Sequence, residues 1–189
     1  MDNSLDSRDI KLLAPFRHED SRGFFAETYS WKKYLEHGID VTFVQDNHSL
    51  SRVTGTLRGL HFQGPPHSQA KLVRCLKGSI WDVVVDLRKE SQTFGKHVAV
   101  ELSSENKKQL LVPRGFAHGF VVLSEQAIFS YKVDKYYQPG SDRGIAFNDS
   151  ILGIDWKLNS DVLKLSEKDL DLPLFNEAEN FNYATNLYE

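Results

Sequence analysis

Cysteine is almost absent from this chain. Cys75 is the single one among 189 residues, so no intramolecular disulfide framework and no multi-thiolate metal site can form. That suits a reducing cytoplasm. Long apolar runs are missing as well. The first thirty residues hold no apolar core run, and nothing approaches the roughly 18 consecutive apolar residues of a membrane span. Neither a signal peptide nor a transmembrane segment is expected. No excess of one charge exists either: the net charge is -3, so bulk electrostatics recruits neither nucleic acid nor an anionic membrane. An anionic ligand would have to be met by individually placed cations. The phosphate-cradling loops G-x-G-x-x-G and G-x-x-x-x-G-K-[ST] do not occur, nor does a G-x-S-x-G elbow. Their absence argues against dinucleotide hydride transfer, P-loop phosphoryl transfer and nucleophile-elbow hydrolysis.

What is present reads as one globular domain. Hydrophobic residues make up 40% and charged residues 26% of the chain, ordinary values for a soluble protein with a real core. Residues 1–9 are polar and expected to fray. Short strands are predicted at Ile10–Pro15, from Phe24, at Val41–Ser49, Thr56–Gln63, Leu72–Cys75 and Ser79–Leu87. More follow at His97–Leu102, Gln109–Val112, Phe120–Leu123 and Ala127–Val133, with Gly144–Phe147 as a further short one. Turn residues separate them about every ten positions, the rhythm of a β-sandwich or barrel and not of βαβ units. Arg17–Gly23 reads as a polar loop. Ser30 reads as a helix N-cap, with Trp31, Tyr34 and Leu35 on one face and Gly38 as the stop. Ser166 and Asp169 have the spacing of a variant capping box. The chain is expected to form an N-terminal arm (residues 1–30), a barrel, and a C-terminal arm (150–189) packed on the barrel or on a partner.

Two stretches carry chemistry. Thr56–Lys71, TLRGLHFQGPPHSQAK, opens as a strand and breaks at Gly64-Pro65-Pro66. It holds Arg58, His61 and Lys71. Arg58 and His61 are three positions apart, so a regular strand would point them to opposite faces; a bulge at Gly59 would bring them to one side. The second stretch is Val112–Gly119, where a P-x-G-x-x-H run between two strands places His118 at a strand entrance. Metal is the first reading of such a histidine. Yet Gln63 stands where the second imidazole of an H-x-H donor run would be wanted, and no glutamate follows before Glu90. His118 is then either a structural group or a hydrogen-bond donor to an anionic oxygen. For the others the bland readings are a sheet tyrosine for Tyr131, a capping acid for Asp169, an exposed lysine for Lys71, and surface ion pairs for Arg22 and Arg58.

Taken in order, Asp20–Phe25, Phe43–Ser49, Leu57–Gln63, Gln69–Val73, Gly78–Arg88, Pro113–Phe120, Tyr131-Lys132, Gly153–Trp156 and Leu165–Asp169 resemble the dTDP-4-dehydrorhamnose 3,5-epimerase family, a metal-free branch of the cupin fold. The resemblance covers roughly residues 8–170. It implies an all-β, cupin-type antiparallel barrel (jelly roll) with a few short peripheral helices, and a homodimer with exchanged N-terminal strands. The implied reaction takes dTDP-4-keto-6-deoxy-D-glucose to dTDP-4-keto-L-rhamnose with no cofactor. By position His61 corresponds to the catalytic base, Asp169 to the carboxylate that orients it, Tyr131 to the acid on the opposite face and Lys71 to the cation near the C4 oxygen. Arg22 and Arg58 are expected on the pyrophosphate, with Gln45 and Asn47 as neutral donors. Phe25 and Tyr137 are expected against the base or sugar. His118, Asp142 and Lys168 complete the expected substrate contacts, and Arg22, Phe25 and Glu27 would arrive from the partner subunit. Three rival readings stand beside this one: an epimerase acting at C3 or C5 alone, a metal-dependent cupin enzyme, and a non-catalytic sugar-binding cupin.

Overall fold

The computed structural model describes residues 9–188, so the expectation for residues 1–9 lies, apart from Asp9, outside it. In chain order the elements are β1 (Lys11–Leu13), β2 (Arg17–Asp20), β3 (Gly23–Ala26), α1 (Trp31–Glu36), β4 (Gln45–Ser51), β5 (Leu57–Gln63), β6 (Lys71–Lys77) and β7 (Ser79–Asp86). Then come β8 (Arg88–Lys89), β9 (His97–Ser103), β10 (Gln109–Val112), β11 (Phe116–Val122), β12 (Ala127–Val133), β13 (Asp142–Gly144), α2 (Glu167–Leu170) and β14 (Phe181–Asn182). Two five-stranded sheets, β1-β10-β6-β12-β4 and β13-β5-β11-β7-β9, carry the fold. Every ladder within them is antiparallel. This is the expected cupin-type jelly roll. Among the described residues no helix is long and apolar enough to cross a membrane.

The core has two layers because β7 is apolar on both faces. Ile80 and Val84 point between the sheets, where they meet Val73, Leu110, Phe116, Phe120 and Phe129. Val83, Val85 and Leu87 point outward, under a cover made by Ile145, Leu152, Trp156, Phe175 and Phe181. The turn at Leu152–Trp156 is pinned by Trp156, whose indole N–H donates to Phe147 O at 2.8 Å. Farther on, Phe181 packs edge-on against Phe62, 5.6 Å between ring centroids. Arg114 and Asp134 form a buried ion pair of 2.7 Å, and Asp134 also accepts the Ala70 N–H at 2.8 Å. That bond fixes the first turn of chain before β6, where Lys71 sits.

Several elements depart from the sequence reading. Arg17–Asp20 is a strand paired with β3, not a loop. Val41–Val44 is not strand; β4 starts at Gln45, because Ile39 and Val41 are spent on an apolar plug with Ala70 and Leu111. The short strand after β12 is Asp142–Gly144, and the expected Gly144–Phe147 is mostly loop. In α1, Trp31 and Leu35 remain 49% and 41% exposed, so the expected apolar face is left uncovered within the chain. Ser30 occupies the N-cap position but makes no side-chain cap bond.

The bulge expected at Gly59 is present. On β11, His118 and Phe120 are two positions apart; their β5 partners, His61 and Arg58, are three apart. One extra residue therefore fits on β5, and Arg58 and His61 come to the same face. Gly59 has φ +125°, and a Cβ there would lie 2.5 Å from Gly119 Cα. Gly59→Ala is expected to cost roughly 1–3 kcal/mol from backbone strain alone, with more from the overlap. A urea midpoint equal to the wild type would show that β5 and β11 can separate at no cost.

Candidate active site

Between the sheets, at the end where α2 leans on the barrel, lies a cavity of about 280 Å³. His61 and Arg58 reach it from β5, Lys71 from β6, His118 from β11, Tyr131 from β12, and Lys168 and Asp169 from α2. Four strands of both sheets and one helical turn thus converge, although the residues span more than half of the chain.

The His61–Asp169 pair is the tightest contact among them. His61 Nε2 lies 2.6 Å from Asp169 Oδ1. Asp169 is only 4% exposed. Its placement follows from local helix chemistry: the Ser166 hydroxyl accepts the Asp169 N–H at 3.2 Å, capping α2. In a full capping box the carboxylate would reach back to the cap N–H; here it turns to the imidazole. Burial pushes the Asp169 carboxyl up, but the hydrogen bond and charge of His61, the Ser166 hydroxyl and Lys168 outweigh it and hold it below the usual range. A neutral imidazole with its proton on Nε2 donates to this carboxylate and leaves Nδ1 as an acceptor.

Lys71 and Tyr131 lie on the opposite sheet. Lys71 Nζ donates to His61 O at 3.4 Å. Burial lowers Lys71 to about 8, against the upward pull of Asp142 and Asp82. Tyr131 is raised above the ordinary phenol range, first by burial and then by the Asp142 charge, with Arg58 opposing. Its hydroxyl makes no hydrogen bond to another described residue. Arg58 is held by one bond, Nε to Ser51 Oγ at 3.3 Å, which leaves its terminal nitrogens available.

A linked rim surrounds the mouth. Asp142 Oδ2 accepts from Lys168 Nζ at 2.5 Å and from the Tyr137 hydroxyl at 2.9 Å. Burial raises the Asp142 carboxyl, but these two bonds and the nearby charges bring it below its ordinary value. Gln45 donates to Asn47 at 2.9 Å and accepts the Tyr137 N–H at 3.4 Å. Gln63, the residue standing in place of a second imidazole, is used as a brace: it donates to His67 O and accepts from Gln138 N. Among the described residues no group of three or more His, Cys, Asp or Glu is arranged to hold a metal ion.

His118 is not at a strand entrance. It sits in the middle of β11, paired in register with His61 and Val84. The strand begins at Phe116 because Phe116 and Ala117 are buried on opposite faces, and Gly119 lets β11 pass close to the β5 bulge, where a Cβ would meet Arg58 O at 2.9 Å. His118 Nε2 lies 3.0 and 2.9 Å from the two oxygens of Asp82. Sequence reasoning missed Asp82. The signal was there: an aspartate in a strand whose both faces are apolar is interior, and a buried acid needs a partner.

Arg22, Phe25 and Glu27 do not line the cavity of their own chain. Arg22 pairs with Asp20 at 2.5 Å and Glu27 with Lys33 at 2.9 Å. Phe25 is 70% exposed on the β2–β3 hairpin.

The family model described as dTDP-4-dehydrorhamnose 3,5-epimerase matches residues 4–177. The chain belongs to the dTDP-4-dehydrorhamnose 3,5-epimerase family. The Salmonella typhimurium dTDP-4-dehydrorhamnose 3,5-epimerase is 52% identical over 171 residues, 90% of this chain and 92% of the relative. The structure of dTDP-6-deoxy-D-glucose-3,5-epimerase from Legionella pneumophila, in complex with dTDP-4-keto-L-rhamnose, superposes with a TM-score of 0.89 at 45% identity, covering 96% of both chains. The Bacillus anthracis dTDP-4-dehydrorhamnose 3,5-epimerase, solved with TDP and PPi bound, gives 0.87 at 48% identity, covering 90% of this chain and 97% of that one.

The depressed Asp169 carboxyl has a consequence for this epimerase fold. A carboxylate whose folded pKa lies below its unfolded value stabilises the protein above the unfolded value, about 3.9, and loses that contribution as pH falls through the folded one. Asp169→Asn should therefore cost about 1–2 kcal/mol at pH 7. The deficit should shrink below about pH 4. Urea titrations at pH 7 and pH 3 check this; an equal deficit at both would assign the loss to packing.

Proposed function

We infer that the protein is a cofactor-independent isomerase that inverts C3 and C5 of dTDP-4-keto-6-deoxy-D-glucose, giving dTDP-4-keto-L-rhamnose for dTDP-L-rhamnose biosynthesis. One arrangement carries the reading: His61 on one sheet, oriented by Asp169 from α2, shares a cavity of this family's fold with Tyr131 and Lys71 of the other sheet.

The ketone supplies the acidity. With a carbonyl at C4, the C–H bonds at C3 and C5 both lead to an enolate whose charge rests on the C4 oxygen. No redox step is needed. His61 Nδ1 takes the proton, and Asp169 stabilises the imidazolium that forms. Lys71 meets the charge on the C4 oxygen; loss of one such preorganised donor typically costs about 3–4 kcal/mol of barrier. Inversion requires the proton to return from the other side, and Tyr131 delivers it. Each inversion leaves His61 protonated and Tyr131 deprotonated, so the pair must be reset through solvent before the second. Because Lys71 works as a cation and titrates near pH 8, the rate should fall as pH rises through that value.

Arg58 holds the pyrophosphate, since a guanidinium fork matches phosphate oxygens. Gln45, Asn47, Tyr137, Asp142 and Lys168 form the rim for the sugar nucleotide. The working unit is a homodimer in which the N-terminal strands are exchanged, so that Arg22, Phe25 and Glu27 complete the neighbouring site. Supporting this, the β2–β3 hairpin exposes Phe24 and Phe25 at 53% and 70%, and an isolated two-stranded hairpin is marginal in water. The single domain, with residues 1–30 and 150–189 as arms, acts in the cytoplasm.

Incubation with dTDP-4-keto-6-deoxy-D-glucose in heavy water tests the reaction. Deuterium should enter at both C3 and C5. Exchange at one carbon alone would make the protein a single-site epimerase, and no exchange would remove this sugar as substrate. His61→Ala should abolish exchange at both carbons. Tyr131→Phe should keep some exchange and lose most inversion; unimpaired inversion would show that another group is the acid. Sedimentation should give twice the 21.6 kDa chain mass, and a monomer with full activity would defeat the exchanged-strand reading.

A further inference from the structure

The end of the chain closes on a buried pair that no step above uses. Lys71 is the first residue of β6, and its partners in the two ladders are Val112 of β10 and Val133 of β12. Both flanking strands lead on past it. One residue beyond Val133, Asp134 accepts the Ala70 N–H at 2.8 Å and returns its own N–H to Ala70 O at 3.3 Å. Two residues beyond Val112, Arg114 reaches across the end of β6 to Asp134, with Nε at 2.9 Å and Nη2 at 2.7 Å from Oδ2. The continuations of β10 and β12 are thus joined at the residue that precedes Lys71. The third guanidinium nitrogen, Nη1, donates to Leu187 O at 2.5 Å. The Tyr188 hydroxyl accepts the Arg114 N–H at 3.2 Å, and the Tyr188 ring centroid lies 4.8 Å from Arg114 Cζ. That ring also packs on the apolar plug that contains Ala70. The parallel pairing of β14 with β8 leads the chain to this point. Gly115 leaves room for it, since a Cβ there would lie 3.0 Å from Leu187 Cδ1.

We propose that Leu187 and Tyr188 are positioning residues for Lys71: by completing the hydrogen bonds of Arg114 they keep the Arg114–Asp134 pair shut, and that pair fixes the backbone from which the Lys71 ammonium reaches the C4 oxygen. The proposal rests on the epimerase reading for the task of Lys71. Little else holds this side chain. Among the described residues Lys71 Nζ makes one hydrogen bond, a long one of 3.4 Å to His61 O, so its place in the cavity is inherited from the start of β6. The brace is sealed as well as bonded, for the side chains of Arg114 and Asp134 are only 5% and 4% exposed. A buried guanidinium that loses one acceptor must draw in water, and water then competes for the carboxylate. Asp134 would loosen, the Ala70 N–H would lose its fixed partner, and the first residue of β6 would shift. A displacement of about 1 Å, caused far from the chemistry, can cost about 100-fold in rate. The family model ends at residue 177, so both strap residues lie beyond the part of the chain that it matches.

Tyr188→Ala tests this in the full chain, at a temperature where its near-ultraviolet circular dichroism equals that of the wild type. Its kcat should fall about tenfold while KM changes less than about twofold. In a Lys71→Gln background the same substitution should lower the residual rate of deuterium exchange by less than about twofold, because the group it positions is already gone. A merely structural strap would lower the rate equally in both backgrounds, and that result overturns the proposal. Amide hydrogen exchange follows the route itself. In Tyr188→Ala the protection of the Ala70 amide should drop about tenfold, while that of Val73, in the middle of β6, holds. Equal loss at both amides, or none at Ala70, overturns the proposal. Should Tyr188→Ala fail to fold, Tyr188→Phe keeps the ring and removes only the hydroxyl that accepts the Arg114 N–H. Its kcat should fall about threefold, again only where Lys71 is present; an unchanged kcat overturns the proposal. The amide measurement needs no sugar. A wild type that puts no deuterium into the ketosugar would therefore remove the epimerase reading, while Ala70 still reports whether the strap holds the start of β6.

Discussion

A 2.6 Å hydrogen bond joins His61 to Asp169 across 108 residues of sequence, and the rest of the site is arranged to keep it. The two partners belong to a strand and to a single helical turn. Just before that turn, Lys164 O accepts the Leu57 N–H at the start of β5, 2.9 Å away. A closed circuit adds a second tie. Asp169 sits on α2, whose Lys168 binds Asp142; Asp142 begins β13, which pairs with β5; and in that ladder Gly144 lies opposite His61 itself. The bond is thus fixed from both ends. A free imidazole rotates and exchanges tautomers, whereas this one presents a defined nitrogen to the cavity.

Three carboxylates surround the site, and their surroundings divide their tasks. Asp169 and Asp142 have enough donors to overcome burial and remain ionised. At Asp82 burial outweighs His118 and Lys71, and its pKa is raised above the ordinary carboxylate value. The positive groups divide in a parallel way. Lys168 is tied down at the rim, Arg58 keeps its fork nearly free, and Lys71 is buried enough that its proton is negotiable near pH 8. Environment alone therefore separates groups fixed in ion pairs from groups whose charge is left open to the cavity.

Much of this was legible in the sequence, for definable reasons. The ten-residue spacing of strands and turns announces the barrel, and the runs Gln109–Val112 and Ala127–Val133 have the expected bounds; Pro113, which cannot donate to a ladder, closes the first. The Gly59 bulge followed from the demand that Arg58 and His61 share a face. What failed did so where tertiary packing overrides the local pattern. Val41 resembles a strand residue but is buried in an apolar plug beside Ala70. Arg17–Asp20 has the polarity of a loop, yet it pairs with β3 because a strand that is exposed along its whole length has no core face to advertise. Asp82 was passed over because it read as one polar member of an alternating strand, and only the second sheet shows that this face is interior too.

The order of the strands also governs how the barrel comes to exist. In the sheet β1-β10-β6-β12-β4 no two neighbours are consecutive in the chain, so none of its ladders can start as a hairpin. Each must close a long loop first, and that entropic cost is met before any pairing rewards it. β6 and β7 are joined by a tight turn at Gly78, but they go to different sheets and do not pair. Folding of this topology belongs to the slow end, milliseconds to seconds by the general trend. His61, Tyr131 and Asp169 come from two sheets and a helical turn, so they meet only where both sheets are formed and α2 is docked, which leaves no partly assembled chain with the whole site.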